Sequence, residues 1–183
     1  MKIISTPLMG VSLIEPNPFC DDRGIFYRAF CNRELAPVLG TRQIVQTNFS
    51  RTHAVGAVRG MHYQNPPHAE MKLIRCLKGK IWDVAVDVRA GSPTFLQWFG
   101  VELSPDNALM MVIPEGCAHG FQVLNKNSEL LYLHTSHYKP EAECGVRFND
   151  PLLAISWPLQ VTDTSKRDMN HPLITPNFGG IAT

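Results

Sequence analysis

The stretch "KIWDVAVDVR", Lys80–Arg89, decides the fold class. Trp82, Val84, Val86 and Val88 fall on one face, and Ile81, Asp83, Ala85 and Asp87 on the other, which is the two-residue period of a β-strand. The run of valines favours the same conformation, because β-branched side chains pack well on a pleated surface. Similar stretches lie on both sides of it. Upstream are "QIVQTNFS" (Gln43–Ser50), with Gln46, Asn48 and Ser50 on one face, and "VRGMHYQ" (Val58–Gln64). Downstream are "FLQWFGVEL" (Phe95–Leu103), "ALMMVIP" (Ala108–Pro114) and "ELLYLHTSHY" (Glu129–Tyr138). The turn sequences "SPDN", "PEG" and "NKNS" separate them. Many short strands at near-regular spacing predict an all-β sandwich or closed jelly-roll barrel. Helices are few: "NRELAPVLG" (Asn32–Gly40) is the best short one, with Gly40 as its stop. The expected organisation is one domain over residues 1–183, its irregular tail from about Asp163 packed across the barrel.

Composition narrows the function classes. Hydrophobic residues make up 44%, charged residues 18% and the net charge is +1, which excludes a disordered polyelectrolyte and bulk nucleic-acid binding. A few local arginines are still enough to hold a small anion. No apolar run approaches the roughly 20 residues of a membrane span. The start, "MKIISTPLMGVSLIEPNPF", has no sustained apolar core and reads as mature chain. Cys20, Cys31, Cys76, Cys117 and Cys144 are scattered, without a C-x-x-C pair, so the expectation is buried or semi-buried thiols in a reducing cytoplasm.

Four motifs carry chemistry. "PEGCAHGF" (Pro114–Phe121) is a P-x-G-x-x-H turn that delivers His119 into a barrel mouth, and it resembles the second motif of cupins. A metal cupin would also need an upstream H-x-H pair and a glutamate. Here the upstream residues are His62-Tyr63-Gln64, Lys72 stands near the place of an acidic ligand, and His68 and Glu70 fall in a "NPPHAE" turn expected to lie away from the pocket. No bound metal is expected. In "VRGMHYQ", alternation puts Val58, Gly60, His62 and Gln64 on one face and Arg59 on the other, unless Gly60 marks a bulge that redirects it. A lone strand histidine is commonly structural. Beside Arg59 and Lys72, His62 becomes a candidate base, with Lys72 available to stabilise negative charge on a substrate oxygen. In the third motif, Tyr132, His134 and Ser136 share a face, and Tyr138 has the spacing to follow them. A barrel tyrosine is usually packing, but one opposite a histidine base is a candidate acid. In "SKRDMNHP" (Ser165–Pro172), Asp168 is either a solvated turn residue or the carboxylate that holds the histidine in one tautomer.

Taken in order, "DDRGIFYRAF", "QTNFSRT", "VRGMHYQNPPHAEMKLIRCLKGKIWDVAVDVRAGSPTF", "LSPDN", "IPEGCAHGFQVL", "LLYLHTSHYKPEAECGVRFNDP", "ISWP" and "SKRD" resemble the dTDP-4-dehydrorhamnose 3,5-epimerase family over most of the chain. The resemblance implies a cupin-like jelly-roll barrel that needs no metal or organic cofactor. It implies a cytoplasmic homodimer acting on a nucleotide-diphosphate-linked 4-keto-6-deoxyhexose in deoxysugar biosynthesis. Carried over, His62 is the base, Asp168 its partner, Lys72 the enolate stabiliser and Tyr132 the opposing acid. Tyr138 and His119 line the sugar pocket, with Asp83 a weaker candidate there. Arg23 and Arg59 contact the diphosphate, Gln46 and Asn48 hold the nucleotide or sugar, and Phe26 stacks on the base from the partner subunit. Two positions depart from the family. Arg28 stands where a glutamate usually contacts thymine, which bears on nucleotide choice. "AEMKL" replaces the usual "AQGKL", so Met71 crowds a glycine position just before Lys72, which is expected to reshape the sugar pocket. Epimerisation at only one of carbons 3 and 5, a 3,4-ketoisomerase, a metal-dependent cupin and a non-catalytic sugar-binding barrel are the competing readings.

Overall fold

Thirteen strands, two α-helices and one 3-10 turn make up the structure, a computed structural model that describes residues 1–183. In chain order they are β1 (Lys2–Ser5), β2 (Ser12–Glu15), β3 (Phe19–Asp21), β4 (Gly24–Phe26), α1 (Asn32–Leu39), β5 (Gln46–Thr52), β6 (Val58–Gln64) and β7 (Lys72–Lys78). Then follow β8 (Ile81–Asp87), β9 (Trp98–Leu103), β10 (Met110–Ile113), β11 (Cys117–Val123), β12 (Ser128–His134), the 3-10 turn (Pro140–Ala142), β13 (Glu143–Gly145) and α2 (Lys166–Asn170). One sheet has the order β1-β2-β10-β7-β12-β5, the other β13-β6-β11-β8-β9, and β3 and β4 form a separate hairpin. The pairings in all three are antiparallel. This is a jelly-roll arrangement, one of the two that the strand spacing predicts, with most neighbours in the two large sheets far apart in sequence.

Strand alternation sorts the apolar residues into three clusters. Between the sheets, Ile74, Met111 and Leu130 of one meet Ile81, Ala85 and Phe121 of the other. The opposite face of β8, with Val84 and Val86, packs with Val88 against Val146, Phe148, Leu153 and Ile174 of the C-terminal segment. That segment therefore covers the second sheet from about Val146 onward, earlier than the expected Asp163, and it is not wholly irregular because α2 lies within it. On the first sheet, Leu35 and Leu39 of α1 cover Leu73, Met110 and Val112. Gly40 caps α1 with a positive φ of 59°, as its place after Leu39 predicts.

Two expectations fail here. Met71 does not line the sugar pocket. It belongs to the cluster under α1, because side chains alternate along the chain and Lys72 beside it takes the inner face. All five cysteines are free, but Cys20 is exposed on the hairpin. Burial pushes the Cys76 thiol up to about 11 and the Cys117 thiol up to about 12, which keeps both as inert thiols.

Candidate active site

A cavity of about 730 Å³ opens between the sheets, lined from β5, β6, β7, β11, β12 and the loop entering α2. Its shape depends on one irregularity. In the β6–β11 ladder, His62 pairs with His119 and Arg59 with Phe121, so three steps on β6 oppose two on β11. Gly60 supplies the bulge, with φ at 127°. A Cβ there would lie 2.5 Å from the Gly120 Cα and 2.7 Å from the His119 carbonyl oxygen, so only glycine fits. The bulge turns both Arg59 and His62 to the cavity, where strict alternation would separate them.

His62 Nε2 lies 2.8 Å from Asp168 Oδ1. Asp168 is buried, and its other oxygen accepts the Gly60 N–H at 3.2 Å. Ser165 caps α2 by accepting the Asp168 N–H at 3.0 Å, which fixes where the carboxylate points. Burial alone would raise the Asp168 carboxyl, but the His62 hydrogen bond and charge and the Gly60 N–H outweigh it and hold it at about 2. An ionised carboxylate only accepts, so the Nε2 proton belongs to this bond and Nδ1 is the basic nitrogen. Arg167 stands beside the pair, with Nη2 3.4 Å from His62 Nε2 and Nε 3.6 Å from Asp168 Oδ1.

The other candidates ring the same space. Lys72 Nζ donates to the His62 carbonyl at 3.0 Å and pairs with Glu70 at 3.1 Å. The Tyr132 hydroxyl shares a 3.1 Å hydrogen bond with Ser50, and burial pushes its pKa well above the ordinary phenol value, so it stays a proton donor. His119 is held by Asp83 at 2.7 Å. Asp83 is fully buried behind the histidine, and burial raises its carboxyl. Gln46 and Asn48 project from β5, and Tyr138 stands at the rim with its hydroxyl donating to Glu143 at 2.6 Å.

Arg23, Phe26 and Arg28 do not reach this cavity. They sit on or beside the β3–β4 hairpin, whose residues are exposed, and Phe26 is 75% exposed. Arg23 pairs with Asp21 in the hairpin, and Arg28 is tied to Glu34 of α1. Glu70 overturns an expectation. Expected to lie outside, it lines the cavity with its side chain only 7% exposed and pairs with His134 as well as Lys72, because Met71 continues the β7 pairing to Thr135 and alternation then puts Glu70 on the face of Lys72. His134, Glu143 and Arg167 were also missed. Alternation from Tyr132 locates His134, and adjacency to Asp168 locates Arg167. Glu143 arrives through its pairing with Gln64 across β13 and β6, for which the local sequence holds no signal.

Metal ligation fits this set poorly. Gln64, in the place of the second cupin histidine, spends its amide on the backbone of His68, His137 and Lys139. Donor atoms of His62, Asp168 and His171 lie within 4.8 Å of one another, but the Arg167 guanidinium against His62 opposes a cation there.

The sequence profile described as dTDP-4-dehydrorhamnose 3,5-epimerase matches residues 5–175. The chain belongs to this family. Its Pseudomonas aeruginosa member is 46% identical over 161 residues, 87% of this chain and 88% of that protein. Among solved structures, the Legionella pneumophila dTDP-6-deoxy-D-glucose-3,5-epimerase, in complex with dTDP-4-keto-L-rhamnose, superposes with a TM-score of 0.90 at 41% identity, covering 100% of this chain and 98% of that one. A 3'-monoepimerase from Streptomyces bikiniensis, in complex with dTDP-quinovose, gives 0.86 at 32% identity over 93% and 86% of the two chains. Membership makes this chain an isomerase of the epimerase class acting on carbohydrates, and its fold is the cupin-like jelly roll of the family. No helix is long and apolar enough to cross a membrane.

Proposed function

We propose that the cavity converts dTDP-4-dehydro-6-deoxyglucose to dTDP-4-dehydrorhamnose by inverting carbons 3 and 5. The observation that carries this reading is the convergence of a carboxylate-held imidazole, an ammonium group and a buried phenol on one cavity. The 4-keto group acidifies the C–H bonds on both neighbouring carbons. His62 Nδ1 takes the proton from one of them, and the C–H electron pair moves into the ring as the carbonyl π pair moves to oxygen 4. Lys72 holds the resulting enolate oxygen, and Asp168 stabilises the imidazolium. Tyr132 delivers a proton to the opposite face of that carbon as the carbonyl re-forms. Exchange of protons with water resets His62 and Tyr132, and the sequence repeats at the second carbon. The residues need no cofactor for these steps. Arg59, with Gln46 and Asn48, holds the diphosphate and nucleotide end.

The exposed hairpin supports a homodimer reading in which Arg23 and Phe26 serve the partner's cavity. An aromatic and a guanidinium presented to solvent on a two-stranded arm suit a base and a phosphate. A narrower reading, inversion at carbon 3 alone, draws on the likeness to the Streptomyces monoepimerase. Proton NMR of the product separates the two readings through the ring couplings. The proposal expects the doubly inverted sugar, the narrower reading leaves carbon 5 unchanged, and a moved ketone would replace both with an isomerase.

A further inference from the structure

A chain of hydrogen bonds crosses the cavity, and its direction follows from its first link. The Tyr138 backbone N–H donates to Gln46 Oε1 at 2.9 Å, and a backbone N–H can only donate. Gln46 therefore turns its amide nitrogen onward, 3.2 Å from Asn48 Oδ1. Asn48 in turn aims Nδ2 at His134 Nε2, 3.3 Å away. An amide nitrogen only donates, so Nε2 is the acceptor and the imidazole proton sits on Nδ1. That nitrogen lies 3.0 Å from Glu70 Oε2, while Glu70 Oε1 takes the Lys72 ammonium at 3.1 Å. Each link runs the same way, from the rim to Glu70, which accepts from both sides. Burial works to raise the Glu70 carboxyl, but His134 and Lys72 outweigh it and keep it below the ordinary range, as a terminal acceptor requires.

The same chain touches Tyr132 and Lys72 of the proposed machinery. Asn48 pairs with Tyr132, and Gln46 with His134, across the β5–β12 ladder. The His134 ring stacks on Tyr132 at 6.1 Å with 13° between the planes, so its orientation also bounds the phenol. We propose that Glu70 is a positioning residue for the enolate step, locking His134 as the neutral Nδ1–H tautomer and anchoring Lys72 beside the reacting oxygen. This inference rests on the proposed function. It ties the β5 side chains that hold the nucleotide sugar to the lysine that holds the enolate, so the two ends of the site are set together.

Histidine-selective 15N labelling of the full-length protein, read near neutral pH, tests the relay. His134 is expected to show a protonated Nδ1 and a bare Nε2. In Asn48→Asp, a carboxylate faces Nε2 in place of a donor, and both nitrogens are expected to carry protons. Glu70→Gln, which restores the family's usual glutamine beside this chain's His134, tests the positioning role: one of the two oxygens that now face Lys72 and His134 becomes an amide nitrogen, a donor turned to a donor. Its kcat is expected to fall at least about tenfold while KM moves by no more than about threefold, the pattern of a misplaced reacting group and not of lost binding. A wild-type His134 protonated on Nε2 overturns the relay. A Glu70→Gln enzyme with wild-type kcat overturns the positioning role, and if that variant fails to fold, the wild-type and Asn48→Asp spectra still decide the relay. Sugar-proton exchange by the wild-type protein is measured alongside. Its absence would remove the proposed function and leave the tautomer result readable.

Discussion

At the residue scale, Tyr132 and His62 face the cavity with opposite equipment. Burial keeps the Tyr132 phenol protonated far past neutrality, whereas His62 has one nitrogen tied to Asp168 and the other free to take a proton. Tyr132→Phe is therefore expected to keep removing the sugar proton and returning it to the same face, so that solvent exchange outlasts epimerisation. Inversion should fall by about 10²–10⁴-fold, measured as product formed against label washed in. Asp168 supplies a second prediction. Its folded-state pKa of about 2 lies below the ordinary 3.8, so the carboxylate stabilises the fold above about pH 4, and that contribution is lost as the pH falls toward 2. It is worth about 2 kcal/mol. Asp168→Asn should flatten the acid limb of the thermal-melting profile between those values, and an unchanged limb would remove the ion pair from the account. Both residues were legible in the sequence, Tyr132 from its strand face and Asp168 from the resemblance of "SKRD". Glu70 was not, because the strand pairing runs on through Met71 into a proline-containing segment that reads as a turn.

At the scale of elements, the β6 bulge decides which side chains meet. Alternation alone sends Arg59 away from His62, and the sequence held only a hint in Gly60. The structure shows why that hint matters: Gly60 and Gly120 pass so closely that neither tolerates a side chain. Gly60→Ala would drive a methyl group into backbone that has no room to yield, at a cost of about 2 kcal/mol or more. The expected result is a lower melting temperature together with weakened substrate binding, since Arg59 and His62 move as a unit. Loss of stability with unchanged kcat/KM would contradict that coupling. β8 was read from its alternation and β10 from a continuous apolar run that buries both faces in different clusters, whereas β7 was not read as a strand because Lys72, Arg75 and Lys78 interrupt its apolar residues. Met71 was misread because it continues the β7 pairing to Thr135, so it takes the face opposite Lys72.

At the scale of the whole molecule, one chain presents a cavity and, apart from it, an arm carrying Arg23 and Phe26. The family resemblance places all of these at one site, with Phe26 reached from the partner subunit, and the proposed homodimer is the arrangement that would bring them together. Mixing two inactive variants tests the arrangement. A chain with Phe26→Ala and Arg23→Ala keeps its cavity, and a chain with His62→Ala keeps its arm. Heterodimers of the two should regain activity that neither homodimer has, because one cavity then receives an intact arm. No recovery in a confirmed heterodimer would place Arg23 and Phe26 outside the partner's site.

The central claim is enolisation by His62, and the most direct measurement follows deuterium from heavy water into the sugar. dTDP-4-keto-6-deoxyglucose is incubated with wild-type protein and with His62→Ala, and carbons 3 and 5 are observed by NMR. The account predicts incorporation at both carbons by the wild type and its loss in the variant. Product formation without incorporation, or undiminished incorporation by His62→Ala, would contradict it.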